Sequence, residues 1–420
     1  MTTVTLAQGV AIALLVVVLV LAVGRRMNIG ALALGAALPV LALSGLPAKS
    51  MYSAFPGDLF VLIAGVSLLF AHLDRSGALG WFVDRVYRAV GDRRLLLPWA
   101  GFVIATALSS AGAFSTAVIA FLVPMVAQVS TRYRGTFLMS ELAVVIGANT
   151  AGLSPLNPTG AVVRAAATKA GVTYPGWGLW AVSVAVAVAV VAVLQFLAAM
   201  AVRRGRGSHI EPIPGEPRDD DTRPSAAYMV CSGAGLVGFV VLVVGFKTDV
   251  GVTAMCLAVL QQVAFRPDER TLLTRIPWNS ILLLCGLLTY LGLLQQIGTM
   301  DSIGRLLSHL GTGALLMLVL AYLTALLCNI ESSTLGVLGL MMPIAFGAFG
   351  HTEVVFWVAA AVCVPAALMV MNPIHVAGTL IIGNSAVQYQ DSLFRRLLAL
   401  AGALALVVPG LLALVPITLQ

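Results

Sequence analysis

The chain has 420 residues, of which 60% are hydrophobic and only 10% charged, with a mean hydropathy of +1.01 and a formal net charge of +7. A sequence this apolar has too little polar surface to cover a soluble globule, and it divides into about ten runs that could each cross roughly 30 Å of hydrocarbon as helix, so the expected fold is an all-α polytopic protein of the cell's inner (plasma) membrane. No stretch the size of a soluble domain remains, and the 5 cysteines are scattered through apolar sequence, which argues against a disulfide framework or a zinc site.

In chain order, the first apolar run, 6 to 23, has no basic residues ahead of it and no small-residue cleavage pattern behind it, so it reads as a retained span. Spans follow at 29 to 45 and 58 to 74. A short helix with polar residues is expected over 81 to 90. Two apolar arms within 95 to 130 then flank the polar cluster Leu108-Ser-Ser-Ala-Gly-Ala-Phe-Ser-Thr-Ala. A fourth span over 135 to 150 resumes over 159 to 170 beyond Asn157-Pro158, because proline removes a backbone donor and disfavours helix at the residue before it. A fifth covers 177 to 202, and 203 to 225 reads as a polar linker. The plan then repeats. Spans are expected at 226 to 246, 249 to 265 and 279 to 295, and a short helix at 302 to 310. Two arms within 312 to 349 surround Leu327-Cys-Asn-Ile-Glu-Ser-Ser-Thr-Leu, an interrupted span runs from 353 through 370 to 388 past Asn372-Pro373, and a last span covers 394 to 417.

A shift of 221 residues superposes Pro56 on Pro277, Gly65 on Gly286 and Gly77 on Gly298, and a shift of 215 superposes Asn157-Pro158 on Asn372-Pro373. The glycines could equally serve helix packing. The preserved order predicts two repeats, 1–202 and 226–420. Each has an odd number of crossings, so the second must be inverted relative to the first. With the linker in the cytoplasm and the N-terminus outside, 19 of the 24 basic residues fall inside, and topology rather than a nucleic-acid partner accounts for the net charge. Each arm, at about 15 residues and about 22 Å, is short of a comfortable crossing. The arms therefore read as re-entrant hairpins, with tips near the bilayer midplane, where non-helical backbone is tolerated only around a cavity. Two ordinary spans joined by a loop in water are the competing reading.

Hydroxyl and amide groups in apolar sequence are costly unless something needs them. The expected cavity wall draws on Ser109, Ser110, Ser115, Thr116, Asn149, Thr150, Ser154, Asn157 and Thr159 from the first half. From the second it draws on Asn329, Ser332, Ser333, Thr334, Asn372 and Thr379. Carbonyls at a helix break suit a cation and helix N-termini suit an anion; for any one Ser or Thr the alternative is a hydroxyl bonded back to its own helix. Glu331, a carboxyl at tip depth, reads as a cation ligand, a proton carrier or a structural partner. His375 is a second coupling candidate or a packing residue. Arg164 either pairs with an anion or snorkels to the interface, and Glu141 reads as structural.

This plan of short helix, hairpin with a hydroxyl-bearing tip and a downstream proline, then an interrupted helix, all repeated with inverted topology, resembles the ion transporter superfamily. Within it the resemblance is to the divalent anion:sodium symporters and to the dicarboxylate carriers of the malonate-carrier type. The resemblance implies a secondary active transporter, not an enzyme, that moves a small di- or tricarboxylate coupled to sodium or protons. It further implies a homodimer and elevator-type alternating access, with both hairpins and both broken helices moving against the remaining spans and no cofactor beyond sodium ions. Carried over by position, Phe114-Ser115-Thr116 and Ser333-Thr334 form the tips, and Gly147-Ala-Asn-Thr150 through Pro158 and Met371-Asn-Pro373 the breaks. Substrate contacts then fall to Ser110, Ser115, Thr116, Asn157, Thr159, Ser333, Thr334, Asn372 and Pro373. Ion binding or coupling falls to Ser109, Asn149, Thr150, Ser154, Asn329, Glu331, Ser332 and His375. The chain departs from the family's Ser-Asn-Thr tips, since neither tip has the central asparagine, which leaves sodium and protons both open as coupling ion. A cation/proton antiporter would place acidic residues at midspan in both halves, but Gly112 stands opposite Glu331. A membrane-embedded transferase would need an acidic cluster at a membrane face, and the acidic run Asp219-Asp220-Asp221 lies in the polar linker.

Overall fold

The structure is a computed structural model that describes residues 6–25, 27–91, 93, 95–131, 137–204, 210, 225–299, 313–330, 334–350 and 352–419. The expected short helix at 302 to 310, most of the linker, and Glu331, Ser332 and Ser333 lie outside these residues.

The first half consists of α1 (Leu6–Arg25), α2 (Ile29–Ser44), α3 (Lys49–Ala54), α4 (Gly57–Arg75), α5 (Ala78–Val90), α6 (Leu97–Ser110), α7 (Ser115–Thr131), α8 (Phe137–Ala151), α9 (Pro158–Lys169) and α10 (Gly176–Arg203). The second half has α11 (Ala226–Val240, extended by a π turn to Gly245), α12 (Val250–Phe265), α13 (Glu269–Leu273), α14 (Trp278–Gln296), α15 (Gly313–Ile330), α16 (Thr334–Phe349), α17 (Val355–Leu368), α18 (Val376–Gly383) and α19 (Val387–Leu419). Among the described residues, six helical stretches are long and apolar enough to cross a membrane, and shorter apolar helices accompany them. The described residues contain no strand. The chain is an all-α polytopic membrane protein.

Two short helices, α3 and α13, were not legible as periodic runs. The start of α13 is set by Asp268, whose carboxylate accepts from the Thr271 amide at 3.2 Å and hydroxyl at 2.6 Å. The second interrupted span also ends earlier than expected, at Gly383, and the last helix begins at Val387.

Residues superposed by the shift of 221 share local geometry. Pro56 and Pro277 precede α4 and α14 with φ, ψ of −82°, 73° and −79°, 68°. Gly77 and Gly298 both adopt left-handed backbone, at φ 74° and 71°. The packing alternative for Gly65 and Gly286 is the one the structure supports. A Cβ at Gly65 would sit 2.7 Å from the Gly251 carbonyl oxygen, so α4 and α12 touch backbone to backbone, and a Cβ at Gly286 would strike the Gly30 backbone where α2 meets α14. Small residues permit such approach between helices in lipid.

These crossings build one apolar core from α1, α2, α4, α11, α12 and α14. A second core is made by α5 to α8, α10, α15 and α17 to α19, while α9 and α16 contribute to both. The last helix of each half therefore packs with the hairpin helices, in contrast to the expectation that only hairpins and broken helices group together. Polar contacts reinforce this: Trp180 Nε1 donates to Ser110 Oγ at 2.9 Å, Ser183 Oγ to the Thr150 carbonyl at 3.0 Å, and the Tyr322 hydroxyl to the Leu406 carbonyl at 2.8 Å.

Candidate functional site

The first helix break runs from Gly152 to Asn157 between α8 and α9. Pro158 occupies the first position of α9, where its missing N–H costs nothing, and Asn157 caps that helix through its side-chain oxygen on the Thr159 amide at 3.0 Å. The Asn157 amide nitrogen reaches across to the turn between α6 and α7, donating to the carbonyls of Ser109 at 3.0 Å and Ala113 at 2.7 Å. Ser154 Oγ donates to the Ser110 carbonyl at 2.7 Å, and Ser115 Oγ to the Ala148 carbonyl at 2.9 Å. The turn itself needs Gly112, whose φ of +113° is accessible to glycine and whose missing Cβ would sit 3.0 Å from the Leu156 carbonyl oxygen. Gly112→Ala is accordingly expected to cost about 1–3 kcal/mol and to lower the melting temperature in detergent, measured by thermal shift.

The second break uses the same device. After α17 and a 3₁₀ turn over Met369–Met371, the Asn372 amide nitrogen donates to the Asn329 carbonyl at 3.1 Å and to its side-chain oxygen at 2.9 Å. The Asn372 side-chain oxygen accepts from the Ile374 amide at 3.0 Å.

A cavity of about 430 Å³ lies where these parts meet. Five helix starts open onto it: Ser115 and Thr116 of α7, Thr159 of α9, Asn279 and Ser280 of α14, Thr334 and Leu335 of α16, and His375 with Val376 of α18. The first turn of a helix leaves N–H groups without intrahelical partners, and the aligned peptide dipoles make that end positive. Asn149 adds an amide, and Ser67 of α4 and Asn279 and Ser280 of α14 close the opposite wall. At the rim Arg275 lies 3.5 Å from Asp74 with its side chain 62% exposed. No other acidic side chain is among the described lining residues.

A second cavity, of about 490 Å³, is lined by Asp58 near the start of α4, Asp249 before α12, Gln295 near the end of α14, and Arg164, Thr168 and Lys169 of α9. The end of α4 and the start of α14 share the first cavity, and the start of α4 and the end of α14 share the second. These two helices thus run in opposite senses. Arg164 lies in the second cavity, away from the hairpin tips.

Of the residues singled out from sequence, the first cavity brings together Ser115, Thr116, Asn149, Thr159, Thr334 and His375. Expected as substrate contacts, Ser110, Asn157, Asn372 and Pro373 lie instead behind the wall: the asparagines tie each break to its tip, Ser110 is held by Trp180 and Ser154, and Pro373 is buried in the second break. Ser109, Thr150, Ser154 and Asn329, expected at the ion site, are likewise absent from the lining. Thr150 Oγ1 bonds back to the Ile146 carbonyl at 2.6 Å and Thr379 Oγ1 to the Val376 carbonyl at 2.8 Å, the alternative open to any helical Ser or Thr. Glu141 is fully buried in α8, and neither carboxyl oxygen has a hydrogen-bond partner. The sequence reading missed Ser67, Asp74, Arg275, Asn279 and Ser280. The polar pair after Pro277-Trp278, opening an apolar run, was the available signal for the last two.

Residues 6–152 match the family model described as dicarboxylate carrier protein MatC, N-terminus. The matched segment contains the first hairpin tip and reaches the start of the first break, and it supports the resemblance to dicarboxylate carriers of the malonate-carrier type. The comparison with curated proteins found no match. A carrier family points to a transporter rather than an enzyme.

Proposed function

We propose that this protein is a secondary active carrier that moves a small di- or tricarboxylate across the inner membrane, coupled to sodium ions or protons by alternating access. The convergence of helix starts from both halves on one cavity carries this reading. A helix start carries up to about half a positive charge, so several aimed at one cavity favour a dianion there, while side-chain hydroxyls and amides replace its water. An antiporter would have acidic groups in that place, and the one acidic side chain among the described lining residues is at the rim, beside Arg275.

Alternating access is supported by the two cavities at opposite ends of α4 and α14, with α9 between them. The rim of the first carries Arg275, so the positive-inside assignment makes this an inward-facing state, with the N-terminus outside and the linker cytoplasmic. The opposed senses of α4 and α14 support two inverted repeats with re-entrant hairpins. The moving body is then the core of α5 to α10 and α15 to α19, and the static body that of α1, α2, α4, α11, α12 and α14, which would also carry a homodimer contact. Leucine side chains meet glycines between these bodies, with Leu283 against Gly336 and Leu287 against Gly339, a smooth contact suited to sliding.

Proteoliposomes loaded by an imposed sodium or proton gradient should show saturable uptake of labelled malonate, succinate, malate or citrate. Gradient-independent behaviour, or no flux of any of the four, overturns the proposal.

A further inference from the structure

His375 stands apart from the other polar residues of the breaks. It precedes α18 at the N-cap position, lines the first cavity, and is 7% exposed, yet neither ring nitrogen has a hydrogen-bond partner. The neighbouring amides are used: Asn157 and Asn372 make the braces described above, and Asn149 bonds its own helix at the Val145 carbonyl. A buried imidazole left without a partner forfeits hydrogen bonds that water would have supplied, and a ligand in the cavity that His375 lines would restore one. Whichever tautomer it adopts, a neutral imidazole presents one N–H donor.

The cavity's donors fall into two groups. Ser115, Thr116 and Thr159 come from the first half, and Asn279, Ser280, Thr334 and His375 from the second. We infer that His375 donates its ring N–H to the second carboxylate of the substrate, so that the second-half wall is what distinguishes a dicarboxylate from its monocarboxylate analogues. The inference rests on the carboxylate reading of the same site. The first-half group holds one carboxylate, which mono- and dicarboxylates share; the imidazole contact is made only by a substrate with a second one. A site built around a hydrogen bond rejects the analogue lacking the matching group more strongly than an apolar wall rejects a change of size, because the protein donor is then left unpaired.

The test compares malonate with 3-methylbutanoate, a monocarboxylate of nearly equal size in which two methyl groups replace the oxygens of one carboxylate, on the full-length protein in proteoliposomes. For the wild type, malonate should compete for labelled malonate uptake far better than 3-methylbutanoate. In His375→Ala the malonate constant should weaken by roughly 10- to 100-fold while 3-methylbutanoate stays nearly unchanged, narrowing the ratio. His375→Gln keeps an N–H donor and should restore part of it. An unchanged ratio in a properly folded His375→Ala overturns the inference, and so does an equal loss for both ligands, which is what a merely structural residue would give. A second arm reads binding without transport. Diethyl pyrocarbonate modification of His375 in the detergent-purified wild type, followed by mass spectrometry, should be slowed by malonate and not by 3-methylbutanoate. Equal modification rates with either ligand overturn the inference even where the variants fail to fold. Failure of the transport reading shows differently, as absence of gradient-driven flux in the wild type.

Discussion

Asn157→Asp is expected to abolish carboxylate uptake and to destabilise the protein severely. The wild-type amide donates to two buried carbonyls of the first tip, at 3.0 and 2.7 Å, while its oxygen caps α9. Aspartate keeps the cap but turns an oxygen toward both carbonyls. The Ser109 carbonyl keeps the Gly112 N–H at 3.1 Å, but the Ala113 carbonyl loses its donor at a cost of about 1–3 kcal/mol. An unpaired buried charge adds several more, a sum comparable with the about 5–15 kcal/mol that holds a typical domain together. Asn157→Ala removes the same bonds without adding charge, and should cost less while still releasing the tip. A displacement of about 1 Å in groups that position a ligand can cost on the order of 100-fold in rate, so uptake should fall even where the alanine variant folds. Thermal shift in detergent and proteoliposome uptake separate these effects. Asn149→Ala is the contrasting case: Asn149 lines the cavity and its amide bonds only within α8, so uptake should change with little loss of stability.

Gly286→Val should prevent recovery of folded protein. The α2 and α14 backbones meet at Gly30 and Gly286, and any Cβ at Gly286 enters the Gly30 main chain, which cannot move aside as a side-chain tip could. Overpacking a core costs about 1–3 kcal/mol where side chains can adjust, and more where backbones must separate. Gly65→Val should act in the same direction through Gly251 on the pseudo-equivalent crossing. Gly347→Ala in α16 provides the control, because no heavy atom lies within 4 Å of its missing Cβ. In a helix interior that change is expected to be neutral or to stabilise by about 0.5–1 kcal/mol. Size-exclusion profiles after solubilisation check all three: aggregated or absent for the valines, monodisperse for the alanine.

The parts of this protein that were legible in advance share a local cause. Hydrocarbon demands helices whose backbone bonds close within the segment, so apolar runs located α4, α10, α14 and their neighbours directly. Proline acts on the residue before it, so the breaks at Asn157 and Asn372 could be placed to within a few residues. The shift of 221 residues was equally visible, because glycine and proline are required where backbone geometry is unusual, as at Gly77 and Gly298. Ser115, Thr116, Asn149, Thr159 and Thr334 of the cavity wall were among the hydroxyls and amides that their cost in apolar sequence singled out.

How those polar residues divide their work was not legible. Whether an amide faces a cavity or ties two segments together depends on which carbonyls lie within 3 Å of it. Asn157 meets the Ser109 and Ala113 carbonyls some 44 to 48 residues away, whereas Asn149 meets only its own helix. The same holds for Arg275 and Asp74, which meet at the rim from opposite halves, and for α10 and α19, whose partners among the hairpin helices no periodicity reveals. From sequence alone came the solvent, the helices and their interruptions, because each follows from a residue and its immediate neighbours. Tertiary structure decided which polar groups are satisfied by protein and which, like His375 beside the cavity, have no partner among the described residues, because that balance is settled only once distant segments are in contact.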